Sequence, residues 1–367
     1  MENIEDKKEM QDVIIKKEIQ GTITPVNNAK VTEEEFFNVI KMVAPGTNLR
    51  AALDGALKAG KGALIVVEND QVESLIDGGF KINCRFTPQK LVELAKMDGA
   101  IILTKDMKKI DFANVLLTPD SKIKTSETGT RHKAAERTAK QTGTLVIAIS
   151  ERKHDISLFY KNIKHPVKSI DLLLRKASEH IQLLEKQREL FDLNIEKLTA
   201  LELKNNKSLQ QGISVIQKGR LIQKIAEDLR KHIIELGNEG TILKTRLKEI
   251  LIGVDRETNL VIKDYTKLDL KKSKILLDTL SFDEILDTEN ILKVLAYEEI
   301  SRECTAKGWR ILSKTPLSDA EIAKLIKESG SLGKAVHSNI EFYSKVLGEE
   351  KAAVYKEEID KIKLSIS

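Results

Sequence analysis

Between residue 31 and about residue 162 the chain alternates between two apolar rhythms. TEEEFFNVIKMVA opens with an acidic turn and spaces its apolar residues at helical intervals, and LRAALDGALKAG repeats the pattern up to a glycine. GALIVVEN then runs apolar without alternation, as a strand buried on both faces does. Four further runs read as strands: GAIILT (99–104), FANVLLTP (112–119), TLVIAIS (144–150) and DISLFYKN (155–162). TPQKLVELAKM and HKAAERTAKQT supply helices between them. This order predicts an α/β domain, a mixed and mostly buried sheet flanked by helices.

After Pro166 the rhythm becomes purely helical. Ile170, Leu173, Leu174, Ala177, Ile181 and Leu184 recur at steps of three and four, and Phe191, Ile195, Leu198 and Leu201 extend the stripe. A second stripe runs through Ile213, Ile216, Ile225, Leu229 and Ile233, and a third through Leu243, Leu247 and Ile250. Long amphipathic helices forming a bundle or spine follow, with a role in structure and assembly rather than chemistry. From Gly308 the pattern shortens into helices broken at Gly330 and Gly333, followed by NIEFYSKVLGEEKAAVYKEEIDKIK. Short helices joined by tight glycine turns resemble helix-hairpin-helix modules, which grip nucleic-acid backbone. The expected organisation is a polar extension over 1–30, an α/β domain over 31–165, a helical spine over 166–300 and a small helical domain over 301–367.

Composition narrows the functional classes. The formal net charge is +5 and charged residues make up 32%, with both signs interspersed, so no basic tail is present. Apolar residues at 41% fit a soluble globular protein, and aromatics at 4% are too few for a stacking platform for single strands. Cys84 and Cys304 are far apart and lack metal-ligand spacing, which predicts buried apolar roles in a reducing compartment. The N-terminal MENIEDKKEMQD has no signal-peptide core, and no run approaches bilayer length, so the expectation is a cytoplasmic protein with no membrane partner.

Candidate chemistry sits in TSETGTRHKAAERTAKQTG (125–143), where a threonine- and glycine-rich turn leads into Arg131, His132 and Lys133 at a helix start. In one reading Thr128 or Thr130 caps the helix and the charges face water. In the other, helix N–H groups, threonine hydroxyls and an arginine fork form a phosphate cradle. Cations set against the helix dipole favour an arriving anion. A second candidate is Asp98-Gly99-Ala100 in KMDGAIIL, which alone reads as a turn.

Asp98-Gly99-Ala100, ANVLLTPD, ETGTRHKAAER and VIAIS, in this order and spacing, resemble the diadenylate cyclase family. The resemblance is strongest from Val31 to Asn162, persists through the helical spine and fades in the last sixty residues. It implies a cyclase that joins two ATP into cyclic di-AMP and releases pyrophosphate, each 3′-hydroxyl attacking the α-phosphate of the other ATP across facing domains. Thr130, Arg131 and His132 would hold the triphosphate, Gly99 would let backbone approach the nucleotide, and Leu117 would pack on adenine. Asp98 would stand near the 3′-hydroxyl and a divalent metal, Mg2+ or Mn2+, as base or ligand; with Arg131 and His132 it completes the implied catalytic set. Ser150, Lys133, Ala134 and Lys153 would complete the ATP contacts. Such chemistry depends on positioning and charge neutralisation rather than on a covalent nucleophile. The resemblance also implies a catalytic oligomer, a homo-octamer in the family, and bacterial, nucleoid-associated location.

The chain departs from the family pattern at several positions. Lys133 and Ala134 replace an arginine and a threonine of the family, and Glu151, Arg152 and Lys153 replace an arginine run. In VLGEEKAAV, Gly348 remains but Glu349 and Glu350 stand where a second glycine and its neighbour belong, which opposes phosphate binding. Contacts to branched or damaged DNA would then fall to Lys314, Lys324, Lys327 and Lys334 around the first hairpin. The alternative function is a DNA-structure sensor with weak or vestigial cyclase activity.

Overall fold

The computed structural model describes residues 31–298 and 305–364; the expected 1–30 extension and Cys304 lie outside the described residues. The chain divides into two compact units, one running up to Arg175 and including Ile233–Thr241, the other comprising Lys176–His232 and the chain from Ile242 onward.

In the first unit, α1 (Glu33–Met42) starts in a capping box between Thr32 and Glu35, and α2 (Asn48–Lys58) is capped by Thr47. The strands are β1 (Ala63–Val67), β2 (Ile76–Asp77), β3 (Phe80–Arg85), β4 (Ala100–Leu103), β5 (Lys109–Leu117), β6 (Leu145–Ser150), β7 (Asp155–Tyr160) and β8 (Ile163–Val167). Helix α3 (Pro88–Leu94) precedes β4, and α4 (Thr130–Thr142) precedes β6. The strands form one mixed sheet in the order β2-β5-β4-β1-β6-β7-β8, with β3 beside β2 on the outer edge of β5. Only β1 and β4 pair in parallel; every other pairing is antiparallel.

Both faces of the sheet centre are buried, and alternation sorts the side chains between them. Ala63, Ile65, Val67, Ile101, Leu103, Ile147 and Ile149 pack with α1, α2 and α3 on one face. Leu64, Val66, Ala100, Ile102, Val146 and Ala148 pack with Ala135 and Ala139 of α4 on the other. This is the pattern expected of a two-sided sheet. The strands that sequence missed lie at its edges: β3 is largely exposed, and β8 carries Pro166, which suits an edge position. Cys84 is part-buried against the first core rather than fully buried, because it lies on β3.

The second unit is helical. It contains the greater part of α5 (Ile170–Leu203) and of α6 (Leu209–Leu236), then α7 (Thr241–Leu251), α8 (Val254–Tyr265), α9 (Leu270–Thr279), α10 (Phe282–Leu286) and α11 (Thr288–Val294). Helices α6 and α8 approach closely: a Cβ on Gly212 would stand 2.8 Å from the Tyr265 ring, and one on Gly219 would strike Thr258. The C-terminal helices are α12 (Trp309–Leu312), α13 (Asp319–Ser329), α14 (Leu332–His337), α15 (Ile340–Leu347) and α16 (Glu349–Leu364), forming two hairpins. Gly330 caps α13 as expected, but Gly333 lies inside α14, where its missing Cβ makes room for Asn205. Glu349 and Glu350 form the first turn of α16, where the helix dipole stabilises carboxylates.

A buried polar network joins α5, α8 and α12. Arg310, fully buried, donates to Glu202 at 2.5 Å and to Thr199 at 3.0 Å. The Tyr265 hydroxyl donates to Glu202 at 2.9 Å and accepts from the Ser208 hydroxyl at 2.6 Å. Asp264 accepts the N–H groups of Gly308, Trp309 and Arg310 at 2.8, 2.6 and 3.0 Å. Burial, reinforced by the nearby Glu202, pushes the Asp264 carboxyl up to about 7 against those three hydrogen bonds.

Arg310→Met should cost roughly 3–5 kcal/mol in urea unfolding, because it leaves Glu202 buried and uncompensated, and adding Glu202→Gln should recover part of the loss. Asp264 binds its proton more tightly when folded, so its contribution is complete below about pH 4 and is lost as pH rises through about 7. Unfolding midpoints measured from pH 4 to 8 should show this decline, and Asp264→Asn should flatten it.

Candidate functional site

Strand register brings the sequence candidates to one end of the sheet. Leu64 pairs with Ala100, so Asp98, two residues ahead of that pair, lies in the turn into β4 at the end of the sheet where β1 begins. Ala63 pairs with Ile149, so Ser150 ends β6 at the same level, and Ala100 pairs with Val115, so Leu117 ends β5 there. Adjacent strands lie ~4.8 Å apart, which keeps the ends of β5, β4, β1 and β6 within a span of about 15 Å.

Helix α4 points its N-terminus toward this region. Arg131 lays its guanidinium where a side chain on Gly62 would stand, so the glycine leaves room for this pose. At the other end of the helix Thr144 donates to the carbonyl of Val67 at 2.6 Å, fixing the helix along β1. The N-cap is Gly129 and provides no side-chain hydrogen bond, so neither Thr128 nor Thr130 caps the helix as one reading expected. The first-turn N–H groups therefore have no side-chain acceptor, and Thr130 is exposed. An anion meets unsatisfied donors there.

The loop feeding α4 is fastened to the helix. Glu136, buried, accepts from the Thr125 hydroxyl, from the Ser126 N–H at 3.2 Å and from Lys140 at 2.7 Å. Burial works against its charge, yet the Lys140 and Thr125 hydrogen bonds hold its carboxyl below the usual range. Arg137 donates to the carbonyl of Ile123 at 3.0 Å, and Gln141 accepts from the N–H of Asp120 at 2.8 Å. Sequence reasoning quoted this stretch but assigned no role to Glu136; its position one turn before Lys140 was the available signal.

The charged candidates differ in environment. Asp98 is exposed, and among the described residues neither its side chain nor that of Arg131 has a hydrogen bond or ion pair. His132 packs edge-on against Phe159, ring centroids 6.2 Å apart. Desolvation, opposed by Glu127 and Asp155, holds its pKa below the ordinary histidine value, so the ring is neutral at pH 7. A cavity of about 330 Å³ opens beside it, with Ser126, Glu127 and Thr128 on one wall, Phe159 and Lys161–Lys164 on another, and Lys153 at its rim.

The remaining candidates are placed as follows. Leu117 is 8% exposed and belongs to the core under α4, and Ala134 packs against the same core. Lys133 gives its N–H to the carbonyl of Gly129 at 2.9 Å, the first bond of the helix. The Ser150 hydroxyl accepts the N–H of Lys153 at 3.2 Å and closes the turn to β7, where Glu151 is exposed. A Cβ on Gly99 would meet the backbone of Asn114 at 2.7 Å, so this glycine answers to a neighbouring strand. In the other unit, Lys324, Lys327 and Lys334 are exposed on α13 and α14. Desolvation and Arg310 hold the Lys314 ammonium below the ordinary lysine range. No helix among the described residues is long and apolar enough to cross a membrane.

Comparison with known proteins identifies the family. The family model described as DisA bacterial checkpoint controller nucleotide-binding matches residues 50–163, and that of the DisA bacterial checkpoint controller linker region matches residues 167–303. The DNA integrity scanning protein DisA of Acetivibrio thermocellus is 39% identical over 325 residues, covering 86% of this chain and 90% of that protein. DisA of Bacillus subtilis is 39% identical over 341 residues, covering 90% and 94%, and DisA of Clostridium acetobutylicum is 37% identical over 340 residues, covering 90% and 95%. With both regions matched and the relatives aligned over nearly their whole length, the chain belongs to the DisA family, and its nucleotide-binding region to the diadenylate cyclases.

Proposed function

We propose that the chain condenses two ATP into cyclic di-AMP and two pyrophosphates at a site shared by two facing copies of its α/β unit. One observation supports this reading: the Arg131 guanidinium lies against Gly62, just ahead of β1, and Asp98 stands just ahead of β4, the parallel neighbour of β1. The first-turn N–H groups and the Arg131 guanidinium bind phosphate oxygens, the neutral His132 adds a donor without a fixed charge, and Asp98 faces the attacking 3′-hydroxyl. The 3′-oxygen forms a bond to the α-phosphorus of the other ATP as the bond to pyrophosphate breaks, and Asp98 takes up the hydroxyl proton. Two such transfers close the ring. One copy presents one nucleotide, so the reaction requires a second copy, and the helical spine serves assembly, with an octamer as the proposed order.

An exposed carboxylate without an internal partner suits a divalent cation, and Asp98 is such a group. Among the described residues no cluster of three or more His, Cys, Asp or Glu could hold a metal ion, so phosphate oxygens would complete the shell. Mg2+ or Mn2+ there would neutralise phosphate charge.

A second reading is a DNA-structure sensor with weak cyclase activity, favoured by Lys133 and Ala134 in the cradle. Exposed Lys324, Lys327 and Lys334 would contact the DNA backbone.

Purified protein with ATP and Mg2+ or Mn2+ should yield cyclic di-AMP by chromatography, whereas Asp98→Asn should lower kcat by at least about 100-fold with the thermal midpoint unchanged. No product with either metal would end the cyclase reading. Branched-DNA affinity should fall about tenfold or more between 50 and 200 mM salt, and Lys324→Glu with Lys327→Glu should weaken it further. Salt-independent binding would remove DNA from the proposal.

A further inference from the structure

Three left-handed residues stand side by side in the sheet next to Asp98. Asn114, in the interior of β5, has φ +53°, where an antiparallel strand residue normally lies near −140°. Gly79, between β2 and β3, has φ +74°, and Gly99, entering β4, has φ +90°. The two glycines press on Asn114 from opposite edges of β5. A Cβ on Gly99 would lie 2.7 Å from the Asn114 carbonyl carbon and 2.9 Å from its Cα; a Cβ on Gly79 would lie 2.8 Å from the carbonyl oxygen of Ala113 and 3.1 Å from that of Asn114. Backbone presses on backbone on both sides, so no rotamer change relieves an added side chain.

Register shows what the left-handed residue does. Ala100 pairs with Val115 and Ile102 with Phe112, so two steps along β4 face three along β5. The extra residue is a β-bulge. Phe112 and Val115 then pack on the same core face, although they are three apart. Asn114 itself is exposed, and its side chain has no hydrogen bond among the described residues. Its conformation is therefore sustained by the pairing around it rather than by a bond of its own, the situation in which strain is found at functional sites.

We infer that Asn114 is a positioning residue for the nucleotide reaction: clamped between Gly79 and Gly99, its left-handed backbone fixes the Gly99 peptide and thereby the placement of Asp98. This rests on the cyclase reading. Asn is among the few residues with a side chain that tolerate positive φ, and a β-branched residue does not. The substitution Asn114→Val would pull β5 toward a regular strand, displace Gly99 and move Asp98, while leaving the α4 cradle in place.

The test compares Asn114→Gly, Asn114→Ala and Asn114→Val in the full chain. Asn114→Gly should keep kcat within roughly threefold, since glycine adopts the same backbone. Asn114→Val should lower kcat by about 30-fold or more, with the KM for ATP within roughly threefold, as expected when a reacting group is displaced but binding is not. Asn114→Ala should fall between them and serves if the valine variant does not fold. Equal kcat per folded molecule in the glycine, alanine and valine variants, with only the thermal midpoint falling, would overturn the inference. Amide hydrogen exchange gives a readout independent of turnover: the alanine and valine variants should speed exchange at Asp98–Ala100 and leave α4 unchanged. Unchanged exchange at Asp98–Ala100 would sink the positioning role even if the wild type proved inactive, whereas wild-type inactivity with the exchange shift present would fault the cyclase reading alone.

Discussion

The two-sided burial of the central strands is the constraint on which the first unit depends. Ile65, Val66, Ile102, Val146 and Ile147 are all fully buried, so β1, β4 and β6 have no face that water can reach. In such a sheet a slip of one residue would exchange the two cores, whose packing partners differ: three helices on one face and α4 on the other. Register is consequently fixed by apolar side-chain packing in addition to the backbone ladder. Fixed register carries Gly62, Gly99 and Ser150 to a common rim, where positioned groups serve better than strong ones.

Much of this was legible in the sequence. Continuous apolar runs marked β1, β4 and β6, the acidic first turn and helical apolar spacing marked α1, and the same spacing up to a glycine marked α2, because those signals are local. What was not legible lay at edges and at irregularities. The segment of β3 is a largely exposed strand without an apolar run, and the segment of β8 contains a proline that local rules read as a break. The bulge at Asn114 left no sign in the hydrophobic pattern, since one extra residue merely shifts the alternation. Gly333 misled for a related reason: its role is to admit Asn205, more than one hundred residues away in sequence. Asp98, Arg131 and His132 could be picked out by residue type, but the pairing of β1 with β4 and the lie of Arg131 against Gly62, which bring Asp98 and Arg131 to one end of the sheet, left no local sign.

The second unit relies on a different kind of specification. Its helices share a generic apolar pattern that many arrangements would satisfy, and the Arg310, Glu202, Tyr265 and Asp264 network adds directional demands. Buried ions contribute little net stability, but they penalise misalignment severely. An arrangement that strands Arg310 without Glu202 leaves a buried charge uncompensated, a cost that repacking of apolar side chains cannot relieve. The close passages at Gly212 and Gly219 act in the same sense, because few alternative alignments of α6 and α8 present small residues where they are needed.

Glu136 has a mechanical consequence for the segment before α4. Through Thr125, Ser126 and Lys140 a single carboxylate rivets the incoming backbone to the helix, and Arg137 and Gln141 add two further fastenings. Segment and helix therefore move as one stiff lever, and the open amides at its tip keep their aim when the surrounding surface fluctuates.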